Sequence, residues 1–163
     1  MSFLRGPGLS RCEHLAGSHP NITSSQETPM SRLIFVNLPV ANIAATRKFF
    51  GDLGFEFNEQ FSDENTACMA INESAWIMLL QENRFRDFIA DDICDTTKSR
   101  EVLTCISADS RAGVDALVDA AIAAGGTKWM DPQDHGFMYG RSFRDLDNHV
   151  WEVMWMDPTA AGQ

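Results

Sequence analysis

The order strand, helix, strand, strand, strand is written twice in this chain, and that repeat restricts its fold more than any other feature. The first copy opens with LIFVNLPV (33 to 40), an apolar run of strand length. NIAATRKFFGDL (42 to 53) follows as a helix, with Asn42 as its N-cap and Ala45, Phe49, Phe50 and Leu53 on one apolar face. Gly54 ends that helix. FEFNEQF (55 to 61), TACMAI (66 to 71) and AWIMLL (75 to 80) then read as short strands, separated by Ser62-Asp63-Glu64-Asn65 and Asn72-Glu73-Ser74. The second copy begins with EVLTCISA (101 to 108) and SRAGVDALVDAAIAAG (110 to 125), and closes with strands near TKWM, GFMYGRSF and HVWEVMW. An offset of 68 lays Phe35 on Leu103, Asn37 on Cys105, Leu38 on Ile106 and the cap Asn42 on the cap Ser110. Few letters match, so the repeat rests on element order and on the caps.

The remaining segments divide around these two units, about 31–80 and 101–157. Residues 1 to 29 are rich in Gly, Ser and Pro and carry no sustained period, which predicts a flexible tail before a folded domain over 30–157. Met30 is a candidate alternative start. His14 and His19 fall in that tail and are weak metal candidates. A polar, mixed-charge connection (81–100) joins the units and is long enough to cover a pocket mouth, and 158–163 form a short C-terminal tail. Asp91, Asp92 and Asp95 in the connection lack the glycine and terminal Glu of an EF-hand and read as a solvated loop.

The formal charge is -10, and the charged residues of 1–29 cancel, so the whole excess lies in the folded part. That argues against nucleic acid as a partner and is compatible with a cationic ligand. Cys12, Cys68, Cys94 and Cys105 form no CxxC pair and are expected to be reduced. No stretch approaches the roughly 18 apolar residues of a membrane span, and the N-terminus lacks the apolar core of a secretory signal. A cytoplasmic location is the expectation; on that footing the acceptor pattern Asn21-Ile22-Thr23 is a chance match.

The paired units, the entry strand FVNLPV with a helix ending in KFFGDLGF, and the closing DLDNHVWEVMW together resemble the vicinal oxygen chelate superfamily: glyoxalase I, extradiol dioxygenases, fosfomycin-resistance enzymes and bleomycin-binding proteins. DHGFMYGRSFRDLDNHVWEVMWMD (134 to 157) looks especially like its small bacterial branch labelled predicted lactoylglutathione lyase. The resemblance covers residues 31 to 157. It implies an α+β fold in which two β-α-β-β-β units form a curved mixed sheet around a central cavity, often completed by dimerisation. It also implies four metal-ligand positions, at Phe35, Leu103, Met78 (or Leu80) and Glu152. Only Glu152 carries a ligand, and a thioether suits the divalent ions of such sites poorly. His149, three residues before Glu152, points to the opposite strand face and is expected to shape the DLDNH turn. His135 is assigned to a turn or to solvent. The expectation is therefore no cofactor, with a divalent metal disfavoured.

Strand alternation puts Val150, Glu152 and Met154 on one face and Trp151, Val153 and Trp155 on the other, with the indoles packing under the helices. Phe35, Asn37, Met78, Leu103, Cys105 and Ser107 are expected to converge on the Glu152 face as a mostly apolar pocket. Tyr139 and Arg141 share a strand face and are candidates to enter that pocket as a phenol donor and a fixed cation, Arg141 pairing with Glu152 or holding an anionic group; equally, Arg141 closes a structural salt bridge at the sheet rim. In the opposite phase Met138, Gly140 and Ser142 line it instead. Trp76 is a candidate stacking wall, and Cys105 is read as a small apolar filler. Two functions remain open. One is a metal-free domain that binds a small molecule, including an antibiotic-sequestering form. The other is a lactoylglutathione lyase-like enzyme in which Glu152 moves a proton next to a carbonyl. A homodimer is expected in either case.

Overall fold

The computed structural model describes residues 32–100 and 102–160, so the N-terminal segment with His14 and His19 lies outside the described residues. Strand β1 (Ile34–Val40) leads into α1 (Ile43–Asp52), then β2 (Thr66–Asn72) and β3 (Ala75–Gln81). The connection contains a short helix, α2 (Glu82–Phe85), continued by a 3-10 turn at Arg86–Phe88, and the second unit contains β4 (Leu103–Ser107), α3 (Arg111–Ala123), β5 (Thr127–Lys128), β6 (Gln133–Asp134), β7 (Met138–Arg144) and β8 (Val150–Met156). Both N-caps act as the sequence predicts: Asn42 Oδ1 accepts from Ala45 N at 2.9 Å and Ser110 Oγ from Gly113 N at 3.0 Å. Gly54 follows α1 at φ +91, a backbone position that few side chains tolerate.

The stretch 55–61 departs from its strand reading. Phe57 makes one antiparallel bridge to Met69 and Glu59–Phe61 turn as a 3-10 helix, started by Asn58, whose side chain accepts from Gln60 N at 2.9 Å. A local Asx bond competes with the ladder there and ends the strand. On α1 the buried face is Ile43, Thr46, Phe49 and Phe50, with Ala45 exposed, because the first turn packs one residue out of the phase read from the sequence.

Hydrogen bonding divides the strands into two mixed sheets, one per unit: β1-β3-β2, and β4-β8-β7-β5 with β6 also on β7. The connectivity repeats. β1 runs parallel to β3 and β4 parallel to β8, while β2 and β7 pair antiparallel to those same strands. Register supports the 68-residue offset, since Asn37 pairs with Met78 where Cys105 pairs with Glu152.

One core joins the units. Phe49 and Phe50 of α1 reach the helix-facing side of the second sheet, where the Phe50 and Trp151 ring centres lie 5.0 Å apart and Phe143 stacks on Trp151 at 6.4 Å. Trp151, Val153 and Phe143 are fully buried, as the alternation of β8 requires. Each such aromatic contributes about 2–3 kcal/mol by burial. Gly126 closes the turn after α3 where no side chain fits: a Cβ there would lie 2.7 Å from Arg144 O and 2.9 Å from Ala121 O.

Candidate functional site

Glu152 sits mid-strand on the face of β8 that α3 does not cover. Its neighbours across the sheet are Cys105 on β4 and Ser142 on β7. With Met138, Gly140 and Met154 these residues line a pocket of about 230 Å³. The loop between β5 and β6 forms the remaining wall through Met130, Asp131 and Gln133. Ser142 pins that loop: its Oγ accepts from Met130 N at 3.3 Å, and its carbonyl from Trp129 N at 3.4 Å. The Trp129 ring beside it lies 5.0 Å from the Arg100 guanidinium and 4.3 Å from that of Arg144.

Among the described residues nothing donates to the half-buried Glu152 carboxylate, neither a cation nor a hydrogen-bond donor. It is open to a ligand's N–H or O–H. Burial, reinforced by the Glu152 charge, pushes the Cys105 thiol above its ordinary range. A thiol held in that state is a poor nucleophile, although Cys105 is exposed at the pocket and not packed as an apolar filler. The sign gives a test. Iodoacetamide labelling of Cys105, followed by peptide mass spectrometry, is expected to rise only at alkaline pH and to speed up roughly threefold in Glu152→Gln, which removes one unfavourable charge. Equal rates in the two proteins overturn this electrostatic coupling.

Tyr139 and Arg141 take the other strand phase, so neither side chain serves the Glu152 pocket, and Met138, Gly140 and Ser142 line it. β7 pairs Tyr139 with Trp155 and Arg141 with Val153, which fixes both on the helix-facing side. There Tyr139 OH donates to Asp115 Oδ1 at 2.8 Å, and Arg141 reaches Asp115 Oδ1 at 2.9 Å and Asp119 Oδ1 at 2.8 Å. The hydrogen bond to Asp115 pushes the Tyr139 phenol up, and the Tyr139 and Arg141 donors push the Asp115 carboxyl down. A sequence signal existed: Asp115 and Asp119 are four apart on one face of α3 and offer the guanidinium two partners.

The first unit does not share the Glu152 pocket. Phe35 is 51% exposed and Leu103 49%, at the same register position of β1 and β4, while Trp76 and Met78 are half-buried on β3. Asn37 instead lines a separate cavity of about 460 Å³ between β1 and the connection. Of the pocket residues expected from the other strands, only Cys105 is brought to Glu152; Arg141 touches the pocket from β7, while its guanidinium is held by Asp115 and Asp119.

His149 is a turn residue, as expected. Its Nε2 donates to Pro39 O at 2.7 Å, tying the second unit to β1. His135 lies exposed in the turn before β7. Among the described residues no three His, Cys, Asp or Glu side chains meet to hold a metal ion. Phe35, Met78 and Leu103 offer no hard donor, so this set does not fit a divalent ion. The described cysteines Cys68, Cys94 and Cys105 are free. No helix among the described residues is long and apolar enough to cross a membrane.

Residues 32–72 match a family model described as bleomycin resistance protein-like N-terminal. Among curated proteins no match was found. Solved structures of similar fold include a hypothetical protein from S. aureus at 23% identity, covering 75% of this chain and 91% of that one with a TM-score of 0.65. A glyoxalase/bleomycin resistance protein/dioxygenase family enzyme from Burkholderia phytofirmans PsJN is 20% identical over 77% of this chain and 98% of its own, at TM-score 0.65. A glyoxalase-related enzyme from Fulvimarina pelagi is 14% identical over 77% and 88%, at TM-score 0.66.

Proposed function

We propose, on the premise that the chain has the glyoxalase/bleomycin resistance/dioxygenase fold of the vicinal oxygen chelate superfamily, that it binds a small organic molecule on its uncovered sheet faces without a resident divalent metal. The observation that carries this reading is the unpartnered Glu152 carboxylate in a pocket walled by Cys105, Met138 and Met154, with Phe35, Met78 and Leu103 at the other ligand positions. A carboxylate there accepts from a ligand's hydroxyl, amide or ammonium group, and thioethers supply an adaptable apolar wall. Sequestration of an antibiotic is one form such binding takes.

The lyase-like reading is weaker for an electrostatic reason. Glu152 as a base would leave negative charge on a carbonyl oxygen, which needs a cation or fixed donors in the pocket. Arg141 and Tyr139, the candidates for that role, are engaged by Asp115 and Asp119 on the other side of the sheet. A homodimer in a cytoplasmic setting belongs to the same proposal, supported by the exposed apolar residues at the start of β1 and by the free cysteines.

Metal analysis of the purified protein, turnover of the methylglyoxal–glutathione hemithioacetal, and a thermal-shift screen with aromatic and bleomycin-type ligands test the proposal together. The expected outcome is no stoichiometric metal, no turnover, and a bound ligand whose affinity falls about tenfold in Glu152→Gln, the loss of one charge-assisted hydrogen bond. Stoichiometric metal with turnover that Glu152→Gln abolishes would sink it.

A further inference from the structure

A second cavity among the described residues lies away from Glu152. It measures about 460 Å³, within the range of small-molecule sites, and shares no lining residue with the Glu152 pocket. Its floor is β1 from Val36 to Pro39, and its roof is the connection, which brings in Phe85, Ile89 and Ile93, with Val102 at one end. The connection thus wraps a cavity with largely apolar walls, and two of its acids, Asp91 and Asp92, stand at that cavity, exposed.

A census of the charged groups at the cavity decides what it would hold. Asp91 and Asp92 accept no hydrogen bond and enter no ion pair among the described residues. The one cationic side chain in the wall, Arg100, is partly engaged: its Nη1 donates to Ser99 O at 2.6 Å and to Thr96 O, and its guanidinium lies over the Trp129 ring, while its buried Nε finds no partner among the described residues. His149 spends its Nε2 proton on Pro39 O. Cys94 Sγ and Ser99 Oγ face each other at 3.4 Å, and Thr96 Oγ1 donates to Asp147 O at 2.8 Å. The Asn37 amide, with no partner among the described residues, is left as a neutral donor and acceptor on the floor. Two free carboxylates therefore stand against one guanidinium that keeps its charge but is turned onto backbone carbonyls and the Trp129 ring, leaving the cavity with an excess of one negative charge in a chain whose net charge of -10 adds to the same field.

We propose that this cavity is a second ligand site, independent of Glu152, that takes a small apolar molecule bearing one cationic group. The apolar body lies against β1, Phe85, Ile89 and Ile93, and the ammonium sits at the mouth beside Asp91 and Asp92. An anionic ligand of the same shape meets the two carboxylates and is repelled.

Phenethylamine and 3-phenylpropionate, similar in size and opposite in charge, make the test. Each is titrated into the full-length protein at low salt to about 10 mM, an upper limit chosen for weak ligands, and followed by backbone amide NMR shifts. The amine is expected to shift Ile89, Ile93 and Val102 and to leave Met138–Ser142 and Glu152 in place. Asp91→Asn/Asp92→Asn, at exposed positions that carry no internal contact, is expected to weaken the amine about tenfold. Val102→Trp, which fills the cavity from an exposed position, is expected to abolish binding. The proposal is overturned if the carboxylate binds as tightly as the amine. It is equally overturned by shifts that gather at the Glu152 pocket, by no shifts at all, or by an unchanged affinity in the double variant. Failure here leaves the Glu152 pocket untouched, because the two sites are read by different resonances.

Discussion

Asp145→Ala is expected to destabilise the protein by about 3–5 kcal/mol, the largest loss of any single polar replacement in this chain. Asp145 is 5% exposed, and its carboxylate accepts from Trp151 Nε1 at 3.0 Å, His149 N at 2.9 Å and Asp147 N at 3.0 Å. Alanine leaves three donors facing a void, each costing roughly 1–3 kcal/mol if unsatisfied, partly recovered by water at the turn. Burial pushes this carboxyl up, against the pull of His149 and of the Trp151, His149 and Asp147 donors. Asp145→Asn keeps one carbonyl acceptor and is expected to lose less, about 1–3 kcal/mol. Urea denaturation followed by Trp fluorescence reads both. An alanine variant within about 1 kcal/mol of the parent shows the network to be dispensable.

The loss should extend beyond β8, because the same turn fastens the two units together. Asp147 Oδ1 accepts from Ala41 N at 2.8 Å and its Oδ2 from Thr46 Oγ1 at 3.3 Å, while Asp147 O accepts from Thr96 Oγ1. His149 holds Pro39 O from the other side. Asn148 turns the chain between them at φ 63, a left-handed position that asparagine tolerates.

If the proposed homodimer forms through the start of β1, Phe35→Glu is expected to weaken it at least about a hundredfold, the effect of burying an unpaired charge worth about 3 kcal/mol. The argument starts from exposure. Leu33, Ile34 and Phe35 are 53%, 57% and 51% exposed in one run at the start of β1, and Val102 and Leu103 at the start of β4 are 41% and 49% exposed. Consecutive exposed apolar residues on strands that pair on one side only are an uncommon feature for a chain that stays single. Sedimentation at micromolar concentration distinguishes the outcomes. A parent protein that runs as a monomer, or a Phe35→Glu variant that remains a dimer, removes the assembly from the proposal.

Where the sequence reading held and where it missed follows from the range of each interaction. The caps Asn42 and Ser110, the alternation of β8 and the burial of Trp151 depend on residues a few positions apart, and their pattern is visible in the letters. The strand read over 55–61 failed on an equally local bond, the Asn58 side chain to Gln60 N, which offers the backbone an alternative to the ladder. Tyr139 and Arg141 were ambiguous because Met138-Gly140-Ser142 is as plausible a pocket face as Tyr139-Arg141-Phe143. What chose between them was Asp115 and Asp119, more than twenty residues away on α3. The loop residues Met130, Asp131 and Gln133 gave no periodic signal, and they enter the pocket only because Ser142 draws the loop onto β7.

The sequence by itself determined the two-unit order with its strands and helices apart from 55–61, the helix starts, and the placement of Glu152 on the face opposite the indoles, since period and capping act within one element. Tertiary structure alone decided that Glu152 meets Cys105 but not Phe35, Asn37 or Met78, and that Arg141 is spent on α3. It also decided that the acids of the closing turn are fasteners, Asp145 for Trp151 and Asp147 for Ala41. These outcomes depend on which partner lies nearby in space, and a buried carboxylate's role is set by the donors around it.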